Sequence, residues 1–169
     1  DEKAVGFMAW QEGRLAFPRP IAVNGTPYAL AAADLDRDGK TDLLVAVKAE
    51  KESSLSILWG GAEGVRTEIP VSGGVEVGVI RVLDLDRDGR LDVVLGLPFD
   101  EMRVLRGHDG RKLEEVPAKT LSKDTSVRGL TIGSVAVGDL DGDGKEELLF
   151  SSKNFARALR LGEAGEVRI

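Results

Sequence analysis

Three segments of this chain are near copies of one another: DLDRDGKTDLL from Asp34 to Leu44, DLDRDGRLDVV from Asp84 to Val94, and DLDGDGKEELL from Asp139 to Leu149. Their starts lie 50 and 55 residues apart, a period that signals tandem supersecondary units in place of one irregular fold. The acids at the first, third, fifth and ninth positions make up 12 of the 29 acidic residues, which leaves 17 acids against 23 lysines and arginines. A net charge of -6 therefore hides a remainder of +6 and three intensely negative turns. Like charges crowded in this way repel one another unless a cation neutralises them.

A second, weaker element recurs in each period. Phe7-Met8-Ala9-Trp10, Ser56-Ile57-Leu58-Trp59, Arg103-Val104-Leu105-Arg106 and Ala158-Leu159-Arg160-Leu161 each lead into a glycine-containing turn (QEG, GGAEG, GHDG, GEAG). The stretches that follow, Leu15 to Ile21, Val65 to Val71, Lys112 to Val116 and Glu166 to Ile169, have some of the alternation of half-buried strands. The flanks of the acidic segments are more uniformly apolar, as in Leu43-Leu44-Val45 and Val93-Val94-Leu95, and suit strands covered on both faces. One period is then four short strands: an inner buried pair joined by the acidic loop and an outer pair joined by the glycine turn. That is the unit of a propeller blade. The expected fold is all-β, with about three and a half blades of four antiparallel strands in this chain, a partial propeller forming a single domain over 1–169. Its repeats fall at about 7–54, 55–101 and 102–155, with a final hairpin at 156–169.

Alternate carboxylates suit a hard cation. In the first loop Asp34, Asp36 and Asp38 stand at positions one, three and five, Gly39 permits a sharp turn at six, Lys40 offers its carbonyl at seven, and Asp42 completes the ring at nine. The corresponding sets are Asp84, Asp86, Asp88, Arg90 and Asp92, then Asp139, Asp141, Asp143, Lys145 and Glu147. All the donors are oxygens, which favours calcium over zinc or copper. Magnesium is disfavoured by its demand for tight octahedral geometry. Up to three calcium ions are expected. An EF-hand is excluded at position twelve, where a bidentate glutamate is required but Val45, Leu95 and Phe150 stand inside apolar runs. The loop is the tip of a hairpin.

D-x-D-x-D-G-x-x-D/E between apolar strands resembles the calcium loop of FG-GAP/VCBS repeats, the units of integrin alpha-subunit propellers and of many bacterial surface proteins. The third repeat is nearest to the family pattern, with Ile132-Gly133-Ser134-Val135-Ala136-Val137-Gly138 before its loop, and Val94-Leu95-Gly96-Leu97-Pro98 resembles the family's Gly-Ala-Pro ending. The pattern departs in two respects: no Phe-Gly precedes the first two loops, and Glu147 replaces the usual aspartate. The resemblance implies structural calcium and an extracellular, cell-surface or periplasmic location. It also implies a protein or glycan ligand on the face opposite the calcium loops, where 118–129 is the longest polar connection. Family propellers mostly close with seven blades, so the remaining blades are expected from another chain or from the rest of a longer protein. Related propellers form the bodies of some polysaccharide lyases, and an enzyme portion or an architectural subunit is the alternative to a binding or adhesion module.

Other features narrow the choice of function. The absence of cysteine removes disulfides, thiol catalysis and cysteine-ligated metals, and a single histidine, His108, leaves little for imidazole chemistry. No catalytic constellation stands out, so a non-enzyme is expected. Apolar runs such as Leu43 to Val47 fall far short of the roughly 20 residues of a membrane-spanning helix. Scattered basic residues and 5% aromatics give no nucleic-acid surface. Trp10 and Trp59 occupy matching places at the end of the third strand, where Arg106 and Leu161 stand in the other repeats, and blade packing is their expected role. The chain begins at Asp1 with neither methionine nor a signal segment, as expected of a processed product or a piece.

Overall fold

The computed structural model describes residues 3–60, 64–71, 76–97, 102–116, 132–152, 155–161 and 167–168. Among them the chain is all-β apart from one 3-10 turn, η1 (Ile132–Ser134). No helix among these residues is long and apolar enough to cross a membrane. The chain opens with β1 (Ala4–Phe7), β2 (Trp10–Gln11), β3 (Arg14–Leu15) and β4 (Arg19–Ala22), a hairpin in two pieces in which β1 pairs with β4 and β2 with β3. The interruption has a chemical cause: Pro18, between β3 and β4, has no N–H to give to a ladder.

Three antiparallel four-stranded sheets follow. The first is β5 (Thr26–Ala33), β6 (Asp42–Lys48), β7 (Ser53–Leu58) and β8 (Arg66–Val71); the second is β9 (Val79–Leu83), β10 (Asp92–Gly96), β11 (Arg103–His108) and β12 (Lys112–Glu115). The third is β13 (Val135–Gly138), β14 (Glu147–Ser152), β15 (Phe155–Leu161) and β16 (Val167–Arg168). Strands pair in chain order within each sheet. The acidic loop joins the first two strands and the glycine turn the last two, as the blade pattern requires. Each sheet begins at the acidic hairpin, so it is offset by about half a repeat from a division at 7–54, 55–101 and 102–155.

The sheets stack face to face, and the two-residue period of a strand decides which layer each side chain enters. In β6, Leu44 and Ala46 point into a core shared with Val93, Leu95 and Leu105 of the second sheet, whereas Val45 and Val47 pack on Val5 and Val23 of the first hairpin. In β10, Val94 points the other way, into a core with Leu148, Phe150 and Leu159 of the third sheet. Central strands covered on both faces explain the unbroken apolar runs around each acidic loop. The innermost strands β5 and β9 lie against each other, and Arg81 of β9 donates to the Val135 carbonyl of β13 at 3.0 Å. First strands that converge in this way are the arrangement of propeller blades.

The first hairpin keeps an uncovered apolar side. Phe7, Met8 and Leu15 are exposed, Trp10 is 70% exposed and Phe17 94%. Trp59, by contrast, is buried and its indole N–H donates to Thr67 Oγ1 at 3.0 Å, so of the two tryptophans only Trp59 packs between blades. The matching position in the third sheet is Arg160 and not the expected Leu161, because Leu148 pairs with Leu159 as Leu43 pairs with Leu58. His108 closes β11, with Nε2 at 3.2 Å from Glu114. The expected contact loop 118–129 lies outside the described residues.

Near the end of the third strand, Gly60 and Gly107 pass over the carbonyl oxygens of Thr41 and Leu91, where an added Cβ would sit at 2.1 and 2.2 Å. The approach is backbone on backbone, so neither side can yield cheaply. Gly107→Ala should therefore lower the unfolding free energy by about 2 kcal/mol or more. Gly133→Ala, with nothing within 4 Å of its Cβ, should change it by less than about 0.5 kcal/mol. Urea titration of both variants checks this, and equal losses would contradict the contact.

Candidate metal centres

The three acidic loops share one internal hydrogen-bond pattern, built almost entirely from their own carboxylates and backbone. The first-position acid accepts from the N–H of the sixth-position glycine: Asp34 from Gly39 at 3.0 Å, Asp84 from Gly89 at 2.8 Å, Asp139 from Gly144 at 2.8 Å. The third-position acid accepts from the fifth residue's N–H at 3.1 to 3.2 Å. The fifth-position acid accepts from the seventh, Lys40, Arg90 or Lys145, at 2.8 to 2.9 Å. Carboxylates that bond their own loop two or more residues on favour such turns over a continued strand.

The ninth acid has a different place. Asp42, Asp92 and Glu147 open the second strand and are fully buried. Each reaches back to the N–H of the loop's second residue: Leu35 at 2.8 Å, Leu85 at 2.9 Å and Leu140 at 2.9 Å. Asp42 and Asp92 use their other oxygen to accept from Gly60 and Gly107, both at 2.9 Å. One side chain thus joins the loop, the second strand and the end of the third.

The fourth position escaped the reading of the sequence. Arg37 and Arg87 adopt φ of 60° and 65° there, and Gly142 takes 77° at the same place. A left-handed backbone is costly for arginine and free for glycine; the glycine in DLDGDG was the available signal. The turn throws each arginine toward the next blade. Arg37 donates to the Gly89 carbonyl of the second loop. Arg87 donates to Asp143 at 2.6 Å and to Glu147 at 2.8 Å in the third loop.

Further arginines sit on the third-position acids. Arg106 lies 2.8 Å from Asp86, and Arg160 bonds Asp141 at 2.9 Å. In the first sheet the matching side chain is Trp59, which carries no charge, and the cation arrives from the neighbouring blade instead: Arg111, in the β11–β12 turn, bonds Asp36 at 2.6 Å. Its guanidinium lies 5.3 Å from the centre of the Trp59 ring, within cation–π range. The Arg111 contact also places the β11–β12 glycine turn beside the acidic loop of the preceding blade.

The structure gathers most of the expected ligands and leaves some apart. Carboxylate oxygens of Asp34, Asp36 and Asp38 lie within 4.8 Å of one another, as do those of Asp84, Asp86 and Asp92, and those of Asp139, Asp141 and Glu147. Asp42, Asp88 and Asp143 are not in these clusters, and Lys40, Arg90 and Lys145 could contribute only a carbonyl. The clusters could bind a metal ion, and the first two pass a direct test of fit. Asp34 Oδ1 and Asp84 Oδ1 are buried with no hydrogen-bond partner, a costly state for a carboxylate oxygen unless a cation meets it.

The electrostatics separate the loops. Arg111 holds Asp36 below the usual carboxylate range, and Arg160 does the same for Asp141. Burial raises Asp86, with repulsion from Asp88 and Asp84 adding to it. Burial pushes Asp92 up to about 6, against the two backbone N–H bonds it accepts. A carboxyl that holds its proton more tightly folded than unfolded stabilises the fold below its folded pKa, and that contribution is lost as pH rises through it. The chelator-treated chain should therefore melt higher at pH 5 than at pH 7. Asp36 and Asp141, being depressed, act only near and below pH 4. Scanning calorimetry at both pH values checks this; a higher midpoint at pH 7 in chelator would refute it.

Comparison with known proteins agrees with this geometry. Searches of curated proteins and of solved structures found no match. A family model described as FG-GAP-like repeat matches residues 34–95 and again 84–150, and a model described as FG-GAP repeat matches 132–169. The matches run through all three acidic loops, and the three four-stranded sheets are the blades such repeats form. The chain belongs to the FG-GAP repeat family.

Proposed function

We propose that this chain is a calcium-binding propeller segment that serves as a scaffold for protein interaction or adhesion, with calcium holding the loops and taking no part in a reaction. The observation that carries the reading is the pair of buried, unpartnered oxygens, Asp34 Oδ1 and Asp84 Oδ1, each inside a cluster of three carboxylates. Calcium accepts six to eight oxygens in flexible geometry. Loops that already orient their carboxylates through backbone hydrogen bonds suit it. Sites of this exposed kind stay loaded where calcium is abundant, which supports an extracellular, cell-surface or periplasmic setting. The exposed Phe7, Met8, Trp10, Leu15 and Phe17 support further blades, from another chain or from the rest of a longer protein, packing on the first hairpin. In this reading a protein or glycan ligand meets the face opposite the loops.

Calcium should raise the melting midpoint saturably, by about 2.7 kcal/mol of stability per site at a hundredfold excess over Kd. Asp34→Ala and Asp84→Ala should each remove one site's share of that rise; no response in the parent would overturn the reading. Trp59 offers a local readout. Loading the first loop competes with Arg111 for Asp36, so the emission of Trp59 should shift with calcium, and the shift should vanish in Trp59→Phe while Trp10 stays silent. A measured mass of the native particle should exceed the 18.1 kDa of this chain. A stable particle of that mass that binds no hydrophobic dye would contradict the missing blades.

A further inference from the structure

The three loops look alike in sequence, but their carboxylate oxygens are not equally free. In the third loop all eight have a partner. Asp139 Oδ1 accepts from Gly142 at 2.7 Å and Asp143 at 3.1 Å, and its Oδ2 from Gly144 at 2.8 Å. Asp141 is shared between the Asp143 N–H at 3.2 Å and Arg160 at 2.9 Å. Asp143 is shared between the Lys145 N–H at 2.9 Å and Arg87 at 2.6 Å. Glu147 Oε2 accepts from Leu140 at 2.9 Å, and its Oε1 lies 2.8 Å from Arg87 and 3.3 Å from Arg160. The first and second loops each keep one buried oxygen without a partner, and it is the first-position Oδ1 that the third loop turns onto its own backbone.

We propose that two arginines close the third loop in place of a cation, so that this chain binds two calcium ions and not three. This rests on the calcium reading above and divides its sites. Two features accompany the division. At the fourth position, where the other loops have Arg37 and Arg87, the backbone N–H of Gly142 bonds the first-position acid. Glu147 is one methylene longer than Asp42 and Asp92, and its outer oxygen meets Arg87 and Arg160, where those aspartates accept from Gly60 and Gly107. Planar guanidinium groups that are always charged suit such fixed pairing with carboxylates. A cation entering this loop must break two arginine pairs and a backbone turn. In the other two loops an oxygen already waits.

Calorimetric titration of the whole chain with calcium tests the division. Two ions per chain are expected. Asp34→Asn and Asp84→Asn should each reduce the number to one, and Asp139→Asn should leave it at two. Arg87→Gln should lower the melting midpoint by the same amount in chelator and in calcium, since it breaks a closure that the ion does not replace; this holds even if the Asn variants prove unstable. Three ions in the parent, or loss of one in Asp139→Asn, would overturn the inference and leave the calcium scaffold standing. No bound ion at all would overturn both.

Discussion

A carboxylate buried at the first residue of the second strand ties each acidic loop to its sheet. Burying a charge is expensive unless its oxygens are satisfied, and here backbone N–H groups supply that: the loop's second residue on one side and, for Asp42 and Asp92, a glycine at the end of the third strand on the other. The glycine is required because the chain passes within van der Waals contact of the loop's own carbonyl. Loop shape, strand register and the approach of the third strand are thus set together. Every other feature of the acidic face, including the crowding of the remaining carboxylates, follows from holding the loop in this position.

Crowded acids then need compensation, and the chain provides it from a distance. Arg111 comes from 75 residues away to meet Asp36, and Arg87 spans 56 residues to meet Asp143. These contacts join one blade to the next on the loop face, while Val94, Leu148 and Phe150 join them through the core. Ion pairs between partly exposed groups contribute little each. Their effect here is to decide which carboxylates remain available and which are already neutralised.

Much of the fold could be read directly. The triple repeat, the two-face burial of the runs around Leu44 and Val93, and glycine at the sixth loop position all reappear in the structure, because hydrophobic period and turn chemistry act over a few residues. The broken first hairpin was legible in principle from Pro18. Other features could not be read in this way. Trp10 and Trp59 hold similar places in their repeats, but only Trp59 has a following sheet packed over it. The left-handed arginines contradict residue preference, and only the third loop's glycine at the same place hinted at them.

By itself the sequence determined the strand pattern, the three acidic turns and the residues able to hold a cation, since these depend on neighbours along the chain. The tertiary structure decided which oxygens of those acids stay free. That depends on how each loop turns its own backbone onto its first acid and on arginines delivered from other strands and from the neighbouring blade, whose reach is set by how the sheets stack and leaves no trace in local spacing.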